Sequence, residues 1–248
     1  MNKKMLIVAC LLVGFCCSNV FALNLMGPPN AELSEGQLGY GVEYSLSELA
    51  MDFDFSSGPV VMADFSRDEM EVDSLSGRLG YGVSDNIEGF FRIGMADIYS
   101  DERGTKYDGD GTFYGFGAKV TLKEEEKITW GLQVQANMAD TDGDWSANDG
   151  SWTGDSTVEF MEIVVAVGPN YQLNDTTSIY GGPFWYMLDG EKTYTAPGEY
   201  ERYDVENQSS FGGFVGLQID VPTDAKLNLE YQLTGDDNIM GLNLIWRH

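Results

Sequence analysis

Through most of its length the chain alternates large apolar residues with small or polar ones, in runs separated by glycine, aspartate and asparagine. Strict alternation is typical of a β-strand with one apolar face, because successive side chains point to opposite sides of a strand. In the clearest run, Trp130, Leu132 and Val134 alternate with Gly131 and Gln133. Ten such runs predict ten strands, at 37–46, 72–83, 87–97, 112–122, 128–138, 157–167, 178–188, 210–221, 226–233 and 238–248.

The two faces of these predicted strands differ in kind. One face is aliphatic or aromatic, and the other is rich in Gly, Ser, Thr, Asn, Gln and charged residues. A soluble barrel that binds an apolar ligand places its large apolar residues inside, whereas a membrane barrel places them outside. The abundance of the glycine and polar face favours a membrane barrel with a narrow polar lumen, and a soluble periplasmic barrel is an alternative.

The connections between the predicted strands alternate between long and short. Long connections at 47–71, 98–111, 139–156 and 189–208 are separated by short ones, as expected when every second connection is a tight periplasmic turn and the others are outward loops. The last connection, 234–237, is short where this rule requires a long one, so eight or twelve strands are alternatives to ten. The predicted fold class is all-β, an antiparallel transmembrane β-barrel over residues 36–248.

The first residues predict export. Two lysines precede an apolar run at 5–17, and Val20-Phe21-Ala22 places a small residue directly before the cleavage point and a short aliphatic residue two positions earlier. This pattern indicates a secretory signal peptide at residues 1–22, because the apolar core is too short for a spanning helix. All three cysteines lie within it, at Cys10, Cys16 and Cys17. Residues 23–35 are predicted to form a periplasmic lead-in, and the predicted location is the cell outer membrane of a Gram-negative bacterium.

The C-terminal run keeps an apolar rhythm to its end, through Met240, Leu242, Leu244, Trp246 and His248. With this strand, the chain resembles the small outer-membrane β-barrel proteins, the group of the OmpA-type transmembrane barrel and the opacity-type surface proteins. The resemblance implies an assembly signal in these residues that the barrel-assembly machinery reads during biogenesis, although the family ends in Phe where this chain has His248. It also implies outer-membrane lipid as a partner.

The chain is strongly acidic, with 14 Lys and Arg against 40 Asp and Glu, and two of its lysines belong to the signal peptide. Nucleic acid is therefore a poor partner, because like charges repel. The predicted outward loops hold many of the acids, and Asp140, Asp142 and Asp144 have the opening spacing of a calcium loop. Trp145 and Ser151 stand where an EF-hand needs Gly and Glu. A loosely bound Ca²⁺ is the one cofactor that the sequence suggests, and a solvated acidic surface is the alternative.

Six charged residues are predicted to point into the lumen. They are Glu43, Arg78, Arg92, Lys119, Glu162 and Glu230. Opposite charges in a narrow barrel pair with one another, since a lone buried charge costs several kcal/mol. We predict an ion-paired plug, with a cation-conducting path as the alternative.

Catalysis is not expected. Outer-membrane proteases and lipid-modifying barrels resemble one another in relying on an active-site histidine, and the single histidine here is His248, predicted at the periplasmic rim. The predicted function is a non-enzymatic outer-membrane barrel in a structural or surface-interaction role, with an extracellular partner that the sequence does not identify. The alternatives are a small cation-preferring, porin-like channel and the soluble ligand-binding barrel.

Overall fold

The structure, a computed structural model, describes residues 25–58, 68–102, 105–147, 153–196, 199–208, 210–222, 224–235 and 237–248. Within these ranges the chain forms eleven β-strands, and no described helix is long and apolar enough to cross a membrane. The strands are β1 (Leu38–Ser57), β2 (Asp68–Ser84), β3 (Ile87–Glu102), β4 (Thr105–Glu124), β5 (Ile128–Ala147), β6 (Thr153–Asn174), β7 (Thr177–Ala196), β8 (Glu199–Asn207), β9 (Phe211–Val221), β10 (Ala225–Thr234) and β11 (Asn238–Arg247).

Ten of the described strands close into an antiparallel ring. The order runs from β1 to β7 and then through β9, β10 and β11, with β11 pairing back onto β1. This closing seam extends from Gly39 opposite Arg247 to Glu48 opposite Asn238. A closed ring leaves no open sheet edge, so the backbone polar groups of the wall find partners without water. The predicted fold class, an antiparallel transmembrane β-barrel, is confirmed.

The outer wall of the ring is apolar. Leu79, Ile93 and Met95 expose 55, 59 and 63 % of their surface, whereas the neighbouring Arg78 and Arg92 point inward and are buried. Leaving apolar area in water costs about 25 cal/mol per Å², so a continuous apolar belt on this scale requires lipid around it. The predicted orientation is confirmed: in the belt the large apolar side chains face outward, the reverse of a soluble barrel.

Beyond the belt the same strands continue with the opposite polarity. On the outer face of β1, Val42 lies in the belt and Asp52 lies further along the strand. On its inner face the buried Glu43 is followed by the buried Met51 and Phe53. The strand therefore passes from a lipid environment, where the outside is apolar, to a region where the outside is acidic and the inside is apolar.

This outer part, which we call the extension, has eight strands. It consists of the outer portions of β1 to β7 together with β8, which pairs with β7 over Asp189–Ala196 and with β1 over Met51–Ser57. The hairpin of β10 and β11 ends below β8, which explains the short connection at 234–237. The prediction of long outward loops is wrong for most of the described residues, because alternation continues there with inverted polarity. Residues 59–67, 103–104, 148–152 and 197–198 of those predicted loops lie outside the described ranges.

Side chains form hydrogen bonds with the backbone at the boundary between the ten-stranded ring and the eight-stranded extension. The carboxylate of Asp237 accepts a hydrogen bond from the backbone N–H of Ala50 at 2.8 Å and another from the Thr234 hydroxyl at 2.7 Å. The side-chain oxygen of Asn207 accepts from the backbone N–H of Leu188 at 2.7 Å. Buried backbone N–H groups need a hydrogen-bond acceptor, and here these side-chain oxygens take the place of the carbonyls of a neighbouring strand.

The N-terminal segment, residues 25–37, passes from the rim of the ring into its lumen, and residues 25–33 lie inside the ring rather than in the periplasm. At the rim, the Gly36 N–H donates to the Gly82 carbonyl at 2.8 Å, and the Gly82 N–H donates to the Gln37 carbonyl at 2.9 Å. From there the segment runs inward to Leu25 and Met26, which are 2 and 0 % exposed. Sequence analysis placed 23–35 outside the barrel because this segment has no alternation to mark its environment. The predicted signal peptide, 1–22, lies outside the described residues.

Candidate functional site

The lumen of the ten-stranded part contains a compact cluster of charges from three neighbouring strands. Glu43 of β1 lies between two arginines, with one carboxylate oxygen 3.5 Å from Arg78 Nη1 and the other 3.4 Å from Arg92 Nε. Arg78 also bonds Glu88 at 2.9 Å. The aromatic ring of Phe90 lies beneath both guanidinium groups, 4.0 Å from the Arg78 Cζ and 5.3 Å from that of Arg92. Both arginines are thus neutralised in a water-poor interior.

Lys119 and Glu230, two more of the predicted lumen charges, hold the N-terminal segment. The two carboxylate oxygens of Glu230 accept from the backbone N–H groups of Met26 and Gly27, at 2.9 and 2.8 Å. The Lys119 ammonium lies 3.8 Å from the carboxylate of Glu32. Both wall residues are almost fully buried, so these contacts form away from solvent.

Glu32 is the central anchor of the segment. Its carboxylate accepts from the Lys226 ammonium at 2.8 Å and from the Gln218 amide at 2.8 Å. Its own backbone N–H donates to Glu88 at 2.9 Å. Deeper in the lumen, Arg92 donates to the carbonyl oxygen of Leu25 at 2.9 Å. Backbone and side chain of the segment are therefore tied to several strands of the wall.

Glu162, the sixth predicted lumen charge, is 3 % exposed, and no cation lies within 4.0 Å of it in the described part of the chain. Register places it in one row with Arg92, Gly115 and Asn137 across β3 to β6. The structure thus brings three of the six predicted residues together and attaches two to the N-terminal segment. Glu162 has no ion pair with any described residue.

Glycines on the inner wall make room for the segment. A Cβ atom at Gly131 would overlap the backbone of Asn30, and one at Gly241 would overlap the side chain of Leu25. The Leu33 side chain lies 3.1 Å from the position of a Cβ at Gly39. The glycine face, which the sequence suggested would line a wet lumen, instead accommodates chain.

The extension is closed by an apolar and aromatic core. Met26 belongs to this core and connects it with the N-terminal segment, so the filling is continuous along the lumen. The Lys192 ammonium, 1 % exposed, lies over the rings of Tyr107, Tyr194 and Phe53 at 4.8, 5.1 and 5.3 Å. Burial raises the pKa of Tyr107 to about 12, which fits an interior with little water.

The outer wall of the extension carries the acids. Asp140, Asp142 and Asp144 share the exposed face of β5 and are spaced along an extended strand, not in a turn. Across the sheet, Asp144 lies opposite Asp108 and Asp155. Among the described residues no group of three or more His, Cys, Asp or Glu side chains is arranged to hold a metal ion. Alternate residues of a strand do not converge on one point as those of a turn do, so the geometry expected of a calcium loop is not formed.

The predicted assembly signal lies on β11. Met240, Leu242, Leu244 and Trp246 share one face of that strand, and Trp246 stacks on Tyr40 across the seam at a centroid distance of 5.7 Å. His248 is exposed at the ring end where Leu38 begins β1, and its backbone N–H donates to the Leu38 carbonyl at 2.8 Å.

Sequence reasoning missed Glu32, Glu88 and Lys226. Glu88 lies an even number of residues from Arg92 on the same strand, and Lys226 lies an even number from Glu230. Each therefore points to the same side as a residue predicted to face the lumen, so alternation alone would have found Glu88 and Lys226. Glu32 offered no such signal, because its segment belongs to no strand.

Comparison with known proteins supports the fold and nothing finer. No protein-family profile and no curated protein matches the chain. Among solved structures, the translocator domain of the autotransporter NalP from Neisseria meningitidis matches with a TM-score of 0.51 and 8 % identity, over 99 % of this chain and 98 % of that one. OprG from Pseudomonas aeruginosa matches with 0.49 and 8 % identity over 86 and 97 %. The protease OmpT from Escherichia coli matches with 0.48 and 10 % identity over 90 and 96 %.

At such low identity the likeness to the NalP domain concerns the backbone alone. Together with the closed ring and its apolar belt, it shows that this chain has the fold of the small outer-membrane β-barrel proteins. The same fold supports a location in an outer membrane.

Proposed function

We propose that this chain is a non-enzymatic outer-membrane barrel with a closed lumen, which serves a structural or surface-interaction role. In this proposal the signal peptide, 1–22, is removed on export. The chain ends face the periplasm and the extension faces outward. β11 is the strand that the barrel-assembly machinery engages, and outer-membrane lipid surrounds the belt.

The observation that carries the proposal is the filled lumen. The N-terminal segment occupies the ten-stranded part, where Glu32 and Glu230 bind it to the wall. The core of the extension continues the filling from Met26 onward. A channel needs a continuous polar path, and apolar side chains interrupt the polar interior at this boundary.

The distribution of chemistry supports a role without catalysis. His248 lies at the opposite end of the barrel from the extension, and it is the one histidine in the sequence. Asp52, Asp142 and Asp204 are exposed on the outer wall of the extension, outside its apolar core. A barrel fold can carry catalytic or non-catalytic functions, so these residues, and not the fold, support the proposal.

A surface role is supported by the continuous strand pairing of the extension. β5 continues from Asp140 to Ala147 beyond the belt, which corresponds to roughly 24 Å of extended strand at about 3.4 Å per residue. Ordering so many residues costs conformational entropy of about 1 to 2 kcal/mol per residue. A paired, acidic wall of this size is suited to present charge at a fixed position outside the membrane.

Planar-bilayer recording tests the closed lumen. Protein refolded from Leu23 onward, with insertion verified by heat-dependent gel mobility, should give no steady current at physiological salt. The small cation-preferring channel is the competing function, and a stable current with cation selectivity would establish it and refute the closed barrel. Solubility of the folded protein without detergent would contradict the membrane location itself.

A further inference from the structure

A polar cavity of about 240 Å³ lies at the end of the ring where the β4–β5 and β6–β7 turns are found. Residues of both turns line its mouth. Its inner lining comes from five strands and from the N-terminal segment, and consists of Asn30, Thr129, Asn170, Ser178, Gln218 and Lys226. None of these residues belongs to the charge cluster around Glu43, so the cavity is a separate feature of the ring.

Two of these inner residues are already engaged with the N-terminal segment. The Lys226 ammonium donates to the carboxylate of Glu32 and to the side-chain oxygen of Gln218, both at 2.8 Å. The Gln218 amide donates to Glu32 at 2.8 Å and to Asn228 at 2.9 Å. Lys226 and Gln218 therefore hold the segment in place and are not free for a ligand.

Two amide oxygens of the lining, in contrast, have no donor. Asn30 is 8 % exposed, and its Nδ2 donates to the Ala31 carbonyl at 3.0 Å, but its Oδ1 has no hydrogen-bond partner among the described residues. The buried Oδ1 of Asn170 has none in that part of the chain either. Buried acceptors are nearly always paired in native proteins, so two unpaired ones that line one cavity point to a ligand that supplies donors.

The charge of the lining indicates the sign of that ligand. Among the described residues that line the cavity, the acids are Glu124, Glu125, Glu126, Asp175 and Asp220, and the bases are Lys127 and Lys226. Lys226 is neutralised by Glu32, so a cationic donor is favoured over a neutral or an anionic one.

The spacing of the acids favours an organic cation over a metal ion. They come from three places, the β4–β5 turn, the β6–β7 turn and the end of β9. In the described ranges no three His, Cys, Asp or Glu side chains are arranged to hold a metal ion. Separated carboxylates suit positive charges that are spaced along a chain.

We propose that this cavity binds a small aliphatic polyamine. One ammonium group donates to the side-chain oxygens of Asn30 and Asn170, since an ammonium carries three N–H donors and no acceptor. The other ammonium groups lie among the carboxylates of the mouth. This binding site goes beyond the proposed function, which requires no ligand and which places the cavity on the periplasmic side of the membrane.

Titration calorimetry of the barrel refolded from Leu23 onward, with spermidine as the ligand, tests the proposal. Asn30→Ala removes one unpaired oxygen and Asn170→Ala removes the other. Each should weaken spermidine binding at least about tenfold, because a hydrogen bond from an ammonium is charge-assisted. Asn170 belongs to the wall, so its variant leaves the sequence of the N-terminal segment unchanged.

The acidic outer wall of the extension also attracts cations, and a matched control separates it from the cavity. Asp140, Asp142 and Asp144 are replaced together by asparagine. Asp140 lies eleven residues from Thr129 along β5, roughly 37 Å at about 3.4 Å per residue. Charges so far apart are screened at 0.1 M salt, where the Debye length is about 10 Å, so this variant should bind spermidine within about twofold of the native chain.

Protection of a cysteine locates the bound polyamine. The cysteines of the sequence all precede residue 23, so Ser178→Cys gives the refolded chain a single thiol in the cavity lining. At a spermidine concentration of about ten times Kd, alkylation of this thiol should slow about tenfold. Ser84→Cys lies at the same end of the ring but outside the lining, and its alkylation should not change. Acetyl-lysine amide, which has one ammonium group, should require at least about a tenfold higher concentration to protect Ser178→Cys.

Three results would overturn the proposal. Spermidine binding that is unchanged in Asn30→Ala and Asn170→Ala but weakened in the wall variant would assign it to the extension. Protection of Ser178→Cys that is absent, or that acetyl-lysine amide gives equally well, would exclude a polyamine site in the cavity. A steady bilayer current would instead refute the closed lumen and leave these binding measurements unaffected, so the two failures are distinguishable.

Discussion

The Glu230 carboxylate gives a quantitative test of how firmly the N-terminal segment is held. Both of its oxygens accept backbone N–H groups, from Met26 at 2.9 Å and from Gly27 at 2.8 Å. Hydrogen bonds to a charged group contribute about 1.5 to 3 kcal/mol each. The variant Glu230→Ala removes both acceptors and leaves two buried donors without partners, so the seated segment should lose about 3 to 6 kcal/mol.

That loss changes the population of the unseated segment. Each 1.4 kcal/mol corresponds to about a factor of ten, so the unseated fraction should rise by about 10² to 10⁴. Hydrogen exchange measures this fraction through the Met26 and Gly27 amides, because these donors exchange only when the segment leaves the wall. Mass spectrometry of the N-terminal peptide should show exchange accelerated by a similar factor in Glu230→Ala.

Two controls accompany this experiment. Glu230→Gln retains one acceptor oxygen and most of the side-chain volume, so its exchange rate should lie between those of the native chain and the alanine variant. Glu124→Ala changes an exposed carboxylate and should leave the exchange unaltered. The Met26 and Gly27 amides could be protected from exchange equally in Glu230→Ala and in the native chain, or in neither. Either result would refute the conclusion that Glu230 holds the segment on the wall.

Three further predictions concern the lumen wall, the acidic wall and the core of the extension. Gly131→Ala should lower the stability of the folded barrel by about 1 to 3 kcal/mol in urea titrations, because its Cβ would overlap the Asn30 backbone. Gly77→Ala is the control: the atom nearest to its Cβ is 4.0 Å away, so the stability should change little. Replacing Asp140, Asp142 and Asp144 by asparagine removes repulsion between these carboxylates and the acidic residues opposite them. The stability of the folded barrel should rise at low salt by about 0.2 to 1 kcal/mol for each repulsive pair removed. Adding Ca²⁺ or a chelator should leave this stability unchanged. Burial raises the pKa of Tyr107 from 10.0 to about 12, so its neutral phenol stabilises the folded barrel below pH 10. This contribution should be lost as the pH rises from 10.0 towards about 12. The loss of stability at alkaline pH should therefore be smaller in Tyr107→Phe.

The alternation of the chain was sufficient to predict the class of fold. Outward Leu79 and Ile93 and inward Arg78 and Arg92 follow directly from strand parity, because a side chain on a strand has two possible directions. Parity was not sufficient at 178–188, where aromatic residues occupy both faces. There the structure places Tyr180 and Phe184 inside the lumen.

Two features escaped prediction for different reasons. The extension was visible in the sequence, since Met51 and Phe53 alternate with Asp52 and Asp54, but its polarity is inverted and a search for apolar outer faces passes over it. The position of Glu32 was not visible at all. Its segment has no period, and its partner Lys226 lies 194 residues away along the chain.

Local alternation was enough to predict the strands of the belt and the facing of most of them, because these depend on residues that are neighbours along one strand. The tertiary structure alone decided how the ring closes, which charges meet, and that residues 25–33 fill the lumen. Those outcomes depend on shear and on contacts between residues far apart in the chain, and local alternation carries no information about either.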